Sequence, residues 1–187
     1  MIFDLPDSLN VNGIDHPIRT DFRDVLRVIV AMNDPNLDEK EKIYICLYVI
    51  YEDFDELKDT DYEAAFKAAS NFIDCGENSK AKSSGIRTID FEQDERLIIS
   101  AVNRIAGCEV RSLDYLHWWT FMGYFMEIGE CTYSTVLSIR GKKKKGKSLE
   151  KWEQEFFDNN KDICVIKEKL SDEELEELDR LNAFLNG

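Results

Sequence analysis

The sequence predicts a mainly α-helical protein with a small N-terminal β-hairpin and amphipathic, acidic helices at its C-terminus. An Asn-Gly pair near the start predicts the hairpin, apolar residues spaced by three or four predict the helices, and acids beside the last apolar stripes predict the acidic end. The 187 residues, of which 43% are apolar, can bury a core without disulfides or a metal. We expect residues 1–147 to form a helical domain that includes the hairpin, and residues 148–187 to form a helical extension.

The hairpin is predicted over residues 8–11 and 14–18, which flank Asn12 and Gly13. Both turn positions of such a hairpin need a positive φ, which Asn and Gly adopt most readily. Pro17 lacks an N–H donor, so its strand should lie at an edge.

Helical spacing then predicts three helices in the first half of the chain, over residues 22–32, 38–52 and 62–73. Thr20 or Asp21 is the expected N-cap of the first helix, and Asn33, Asp34 and Pro35 should end it. Residues 77–88 are small, polar and aperiodic, so we predict a mobile linker there.

Five further helices are predicted after the linker. The fourth should start at Asp90, with Gln93 as its capping-box partner, and end at Gly107. Residues 113–128 are so apolar that most of this fifth helix should lie at the centre of the core. A short helix over residues 132–140 follows. Because this segment contains β-branched residues, a strand remains the alternative prediction. The last two should begin at Ser148 and at Ser171, the latter with Glu174 as capping-box partner.

Charge and composition exclude several classes of function. The net charge is −14, and residues 1–76 and 148–187 carry most of the excess acid, which disfavours nucleic acid as a partner. No apolar run is long enough to cross a membrane, and the first residues lack a signal-peptide pattern, so we expect a soluble protein of the cytoplasm. The five cysteines show no CxxC spacing, and no catalytic or metal-binding motif occurs around the two histidines. We therefore expect no enzyme activity, no cofactor and no bound metal.

One motif suggests a different class of function. Residues 141–148 read GKKKKGKS and match the phosphate-binding pattern G-x-x-x-x-G-K-[ST]. That loop requires a parallel sheet, for which the chain offers few strands. A basic turn between two helices explains the same residues, since Gly can end one helix and Ser can cap the next. We expect the turn to pair with acidic groups of this chain or a partner, while contact with nucleic acid is the alternative. Its lysines are Lys142, Lys143, Lys144, Lys145 and Lys147.

Residues 89–160 resemble the phage gene-product-fifteen family of siphophages and prophages of Gram-positive bacteria. The resemblance is carried by LHWWTF at residues 116–121, GECTY at 129–133, SIR at 138–140, the lysine-rich turn, and LEKWEQEFF at 149–157. The gene of this family commonly lies between those of the major tail protein and the tape measure protein. This position implies a tail assembly chaperone in the host bacterial cytoplasm, without catalytic residues. The implied partner is the tape measure protein, with the major tail protein as a second candidate.

A helical chaperone can shield the apolar stripes of a long helical tape measure by offering a groove for them. We expect such a groove at the rim of the aromatic set Trp118, Trp119, Trp152 and Phe156. Two alternative functions stay open: a nucleotide-binding protein of the P-loop class and a minor structural component of the tail. The oligomeric state stays open as well, a homo-oligomer included.

Overall fold

The computed structural model describes residues 4–76 and 88–186. The predicted mobile linker at residues 77–88 therefore lies outside the described residues, apart from Thr88. Within the described part a two-stranded hairpin precedes nine α-helices, which confirms the mainly α fold. The helices are α1 Phe22–Met32, α2 Glu39–Ile50, α3 Tyr62–Ile73, α4 Glu95–Ala106, α5 Trp118–Met126, α6 Thr132–Lys144, α7 Lys151–Asn159, α8 Lys161–Cys164 and α9 Asp172–Asn186.

The hairpin has the turn and the pairing that the sequence predicts. Strand β1 (Ser8–Val11) pairs antiparallel with β2 (Ile14–Pro17) around Asn12 and Gly13, both of which have positive φ. Val11 is buried, and the hairpin packs on α3. The two strands thus close one side of the helical core.

Helices α1 to α3 form the first layer of the core. Asp21 caps α1 and Asp38 caps α2, where Glu41 completes a capping box. Helix α2 packs between α1 and α3. Its buried face includes Leu47 and Ile50, as its apolar spacing predicts.

The predicted start of the fourth helix was wrong, because α4 begins at Glu95 and not at Asp90. The Asp90 carboxylate instead caps a turn by accepting the N–H groups of Glu92 and Gln93. Gln93 is no capping-box partner, since its side-chain amide donates to the carbonyl oxygen of Val165. The end of the helix at Gly107, in the left-handed conformation, is as predicted.

The fifth helix is shorter than predicted, because residues 113–117 lead into it in a non-helical conformation. Within α5 only Trp118 and Phe121 are fully buried, whereas Met126 near its end is 66% exposed. The prediction for this segment therefore holds in part: Leu116, Trp118 and Phe121 are buried in the main core, and most of the other apolar residues pack against it while only partly buried. His117 caps the helix through Nδ1, which accepts the N–H of Trp119.

Helices α6, α7 and α8 enclose a second, smaller cluster. Its buried side chains are Val136, Ile139, Phe157 and Cys164. Helix α6 packs on α4 and α8, so this cluster adjoins the main core. The strand alternative for residues 132–140 was wrong. Helix α7 begins at Lys151 and not at Ser148, and α8 was not predicted.

Helix α9 starts with the predicted capping box. The N–H of Ser171 donates to the carboxylate of Glu174, and the N–H of Glu174 donates back to the Ser171 hydroxyl. All its described side chains are exposed.

Candidate partner-binding surfaces

The lysine-rich segment does not have the geometry of a phosphate-binding loop. Helix α6 continues through Gly141 to Lys144, so a helix stands where the loop needs a preceding strand. The described residues contain one sheet, the antiparallel hairpin, instead of the parallel sheet that the P-loop class requires. Only Gly146, with φ of 62°, forms a turn. The P-loop interpretation is therefore wrong.

Two of the five lysines, Lys142 and Lys143, are engaged within the molecule, whereas the Lys144 ammonium group is buried without a hydrogen-bond partner among the described residues. The Lys142 ammonium group donates to both carboxylate oxygens of Glu153 at 2.7 and 2.6 Å, and Glu153 is 2% exposed. The Lys143 ammonium group lies 3.7 Å from the ring centre of Phe157. Burial lowers the pKa of Lys144. The basic turn thus fastens α6 to α7, while Lys145 and Lys147 are exposed.

Arg140 and Asp94 form a buried ion pair that ties α6 to the start of α4. The guanidinium group donates to both carboxylate oxygens at 2.6 and 2.7 Å, and both side chains are almost fully buried. Arg140 also donates to the carbonyl oxygens of Thr88 and Ile163. Sequence pattern does not predict this pair, since the two residues lie 46 positions apart.

Trp118 and Trp119 anchor α5 to the end of α3. Their indole N–H groups donate to the carbonyl oxygens of Ile73 and Phe72, both at 2.9 Å. These carbonyls belong to the last turn of α3, where a helix leaves such groups without partners. Trp118 is 1% exposed, so its prediction as a partner-binding residue does not fit its place in the core. Trp119 is half-buried.

Trp152 and Phe156 lie on α7 instead. Trp152 is 54% exposed, and its indole N–H donates a hydrogen bond to the Glu150 carboxylate. Phe156, by contrast, packs against the second cluster. The four aromatic residues therefore do not form one rim: two tie α5 to α3, and two belong to α7. Trp152 has the exposure that a contact residue needs, and its role stays a prediction.

A different aromatic surface lies on the outer face of α2. Tyr44 and Tyr48 stack on each other with 6.2 Å between ring centres and are 51% and 58% exposed. The ring of Phe54 meets both edge-on, and Tyr62 continues the cluster. Tyrosines four residues apart outside the buried stripe of α2 were the sequence signal for this surface. We call these four side chains the tyrosine surface.

The tyrosine surface is acidic at its edge and adjoins a cavity. Burial raises the pKa of the Tyr62 phenol, and the nearby carboxylates of Asp59 and Asp55 raise it further. A cavity of about 640 Å³ is lined by Tyr44, Tyr62, Leu37 and Ile43 among others. Exposed aromatic rings beside a concave apolar surface are typical of protein-binding sites.

An apolar groove of about 650 Å³ runs between α1 and α4. Its walls include Leu26, Val30, Ala31 and Ile99, and Leu37 lines both this groove and the cavity beside the tyrosine surface. Charged side chains also line it: Arg23, Arg27, Arg111, Asp34, Glu92 and Glu95. We call it the α1–α4 groove.

Within the described residues, no cluster of three or more His, Cys, Asp or Glu side chains has the arrangement of a metal site. Nor does that part of the chain contain a helix that combines the length and the apolar character needed to cross a membrane.

The fold defines an acidic helical protein whose distinctive surfaces are apolar and exposed. Residues 1–164 match the family model described as Bacteriophage Gp15 protein, and the chain therefore belongs to this family. Membership indicates a structural or assembly role in a phage. No curated protein and no solved structure matches the chain. Helix α9 lies beyond the part that the family model matches.

Proposed function

We propose that this protein is a tail assembly chaperone, which binds the tape measure protein in the host cytoplasm and keeps it soluble until the tail tube encloses it. It acts by binding, without catalysis or a cofactor, and neither nucleic acid nor a membrane is its target. The major tail protein is a second partner of the same process. Family membership and the gene order implied by the family resemblance support the proposal.

The tyrosine surface is the observation that carries it. A tape measure is a long helical chain, and its apolar stripes need cover before the tube encloses them. Tyr44 and Tyr48 present two large, exposed rings beside a cavity that could receive apolar side chains of a helix. Tyrosine is enriched among residues that dominate binding energy, since it offers much contact area at a small loss of side-chain entropy.

Charge provides the second requirement of a chaperone. Residues 1–76, which include the tyrosine surface, carry 17 acids against 7 bases. Loaded complexes with such an excess of negative charge repel each other and resist aggregation. The same charge favours tape measure segments whose apolar stripe is flanked by Lys or Arg.

Co-expression with the tape measure protein of the same phage or prophage tests the proposal. The tape measure should be recovered in the soluble fraction and co-purify with the wild-type chain. With Tyr44→Ala/Tyr48→Ala the co-purified amount should fall at least about tenfold, because two anchor residues are lost. Met126→Ala, which shortens an equally exposed side chain on α5, is the matched control and should retain binding.

Trp152→Ala in the same assay tests the exposed tryptophan of α7 as a further contact. A tape measure that is equally soluble alone, or that never co-purifies, contradicts the chaperone function. Mature virions that contain this chain at stoichiometric copy number would instead identify a structural component of the tail.

A further inference from the structure

We propose that the C-terminal helix α9 is a self-association arm, which packs into the α1–α4 groove of a second copy of this chain. This inference is independent of the chaperone function. It rests on an apolar stripe that is left exposed, on a groove of matching character, and on the place where the arm leaves the molecule.

The stripe consists of Leu175, Leu178 and Leu181 on one face of α9, and Phe184 is exposed on another face of the same helix. Their exposed fractions are 46%, 44%, 53% and 84%. An isolated helix of 15 residues is only marginally stable in water, and amphipathic helices gain most of their stability by packing their apolar face. Helix α9 therefore needs a partner surface to be held as a helix.

The α1–α4 groove offers such a surface. Leu26, Val30, Ala31 and Ile99 form an apolar wall, and the groove follows α1, so a second helix can lie along it. Such packing brings the leucines of the arm between the side chains of α1 and α4, in the way that amphipathic helices fill hydrophobic grooves.

The arm is acidic, and the α1–α4 groove presents arginines beside its own acids. Helix α9 carries six acidic side chains and one basic one, and Asp172 and Asp179 flank one edge of the leucine stripe. At the groove, Arg27 and Arg111 have side chains that are 70% and 53% exposed. Each already pairs with an acid near it in sequence. A guanidinium group has five N–H donors, however, and can donate to a second carboxylate as well. Of the three acids that line the groove, Glu92 pairs with Lys169, Glu95 lies 3.8 Å from Arg111, and Asp34 is the third.

The attachment of α9 favours a second copy over the chain's own groove. The chain that leads into α9 is bonded beside the groove: the Lys167 N–H donates to Gln93, Lys169 pairs with Glu92, and the Asp172 N–H donates to Asn36 at 2.8 Å. These contacts fix the first turn of the arm next to Leu37. With these contacts in place the described side chains of α9 are exposed outside the groove, and the arm of a second copy can enter it while every one of them is kept.

Two copies related by a twofold axis can exchange arms reciprocally, because each arm starts at the edge of its own groove. The resulting dimer contains the contact between arm and groove twice. Analytical ultracentrifugation across a wide range of protein concentration should therefore show a monomer of 21.8 kDa converting to a species of twice that mass. A monomer at every concentration would overturn the proposal.

Two variants locate the contact. Leu178→Glu places a charge in the stripe, and Ala31→Glu places one in the groove at a position where a helix accepts glutamate. Each should weaken dimerisation at least about 100-fold, since the substitution occurs at both copies of the contact. Glu173→Gln, in the same arm but off the stripe, is the control and should dimerise. Circular dichroism and thermal melting establish that each variant is folded.

Mixing the two variants gives the decisive result. The Leu178→Glu chain has an intact groove and the Ala31→Glu chain has an intact arm, so their mixture should form a heterodimer held by one of the two contacts. Neither variant alone should dimerise at the same concentration. If the mixture stays monomeric, or if either variant dimerises as the wild type does, the arm does not occupy the groove of a second copy.

Discussion

Arg140 shows how one side chain can hold three separate segments together. Its guanidinium group donates hydrogen bonds to the buried Asp94 carboxylate, to a carbonyl oxygen before α4 and to another carbonyl oxygen within α8. A buried charge that loses its only charged partner is costly, because the interior cannot replace the water that the charge gave up. Such a pair is therefore sensitive to replacement of either residue.

We expect Arg140→Met to lower the free energy of unfolding by about 3–5 kcal/mol, because it leaves Asp94 buried without its cation. Urea denaturation followed by tryptophan fluorescence measures the loss. Arg180→Met is the control, since the pair of Arg180 and Glu176 is exposed and such pairs contribute about 0–1 kcal/mol. Equal losses for the two variants would contradict the buried pair.

Glu153 makes stability depend on pH. Hydrogen bonds from the Lys142 ammonium group and from the Glu150 N–H hold the pKa of this carboxyl below its usual value. A carboxyl with a lowered pKa in the folded state stabilises the fold fully above its unfolded pKa of about 4.3. That contribution is lost as the pH falls through the lowered folded value.

The difference in urea midpoint between the wild type and Glu153→Gln should therefore be constant near neutral pH and shrink as the pH falls below about 4.3. Glu155→Gln, an exposed position on the same helix, should show no such trend. A difference that grows on acidification would have the wrong sign for this ion pair.

At the scale of elements, turns and helix ends that depend on neighbouring residues were predicted correctly. Helix ends that depend on contacts between residues far apart in the sequence were not. The hairpin turn and the capping box of Ser171 depend on residues within a few positions, and both were predicted correctly. Asp90 and Gln93 have the spacing of a capping box, yet the Gln93 side chain bonds to Val165 and Lys167, which are far away in sequence. The start of α4 could not be predicted for that reason.

The lysine-rich segment shows the same limit. Its Gly-Lys pattern favours a turn that begins at Gly141, but the Lys142–Glu153 and Lys143–Phe157 contacts stabilise one more helical turn. The two glycines of the pattern consequently occupy different conformations. Gly141 lies within α6, whereas Gly146 has a positive φ.

We expect Gly141→Ala to stabilise the protein by about 0.5–1 kcal/mol, because Ala is the better helix former and its Cβ meets no atom within 4 Å. Gly146→Ala should destabilise it by about 1–2 kcal/mol, since an L-residue at that φ is strained. Thermal and urea unfolding of the two variants measure both effects. Destabilisation by Gly141→Ala would mean that the segment does not form a helix there.

For the whole molecule, the sequence predicted a helical domain ending near residue 147 and an extension from 148 onward. The structure places α7 and α8 against α6, where Phe157 and Cys164 fill the second cluster. Helix α9 differs, because its described side chains are all exposed. Composition could not reveal this, since α7 and α9 are both acidic and amphipathic, and only the packing distinguishes them.

Shortening the chain tests where the folded unit ends. A chain of residues 1–170 loses α9 and the hydrogen bond from the Asp172 N–H to Asn36, while the buried clusters stay intact, so its unfolding free energy should fall by no more than about 1 kcal/mol. A chain of residues 1–159 also loses Cys164 from the second cluster and the Ile163 carbonyl that accepts from Arg140. Its unfolding free energy should fall by about 3 kcal/mol or more.

All three tryptophans remain in both chains, so fluorescence-monitored urea unfolding at low protein concentration compares them directly. If the chain of residues 1–159 is as stable as the chain of residues 1–170, α8 does not belong to the folded unit. That result would agree with the predicted division at residue 147.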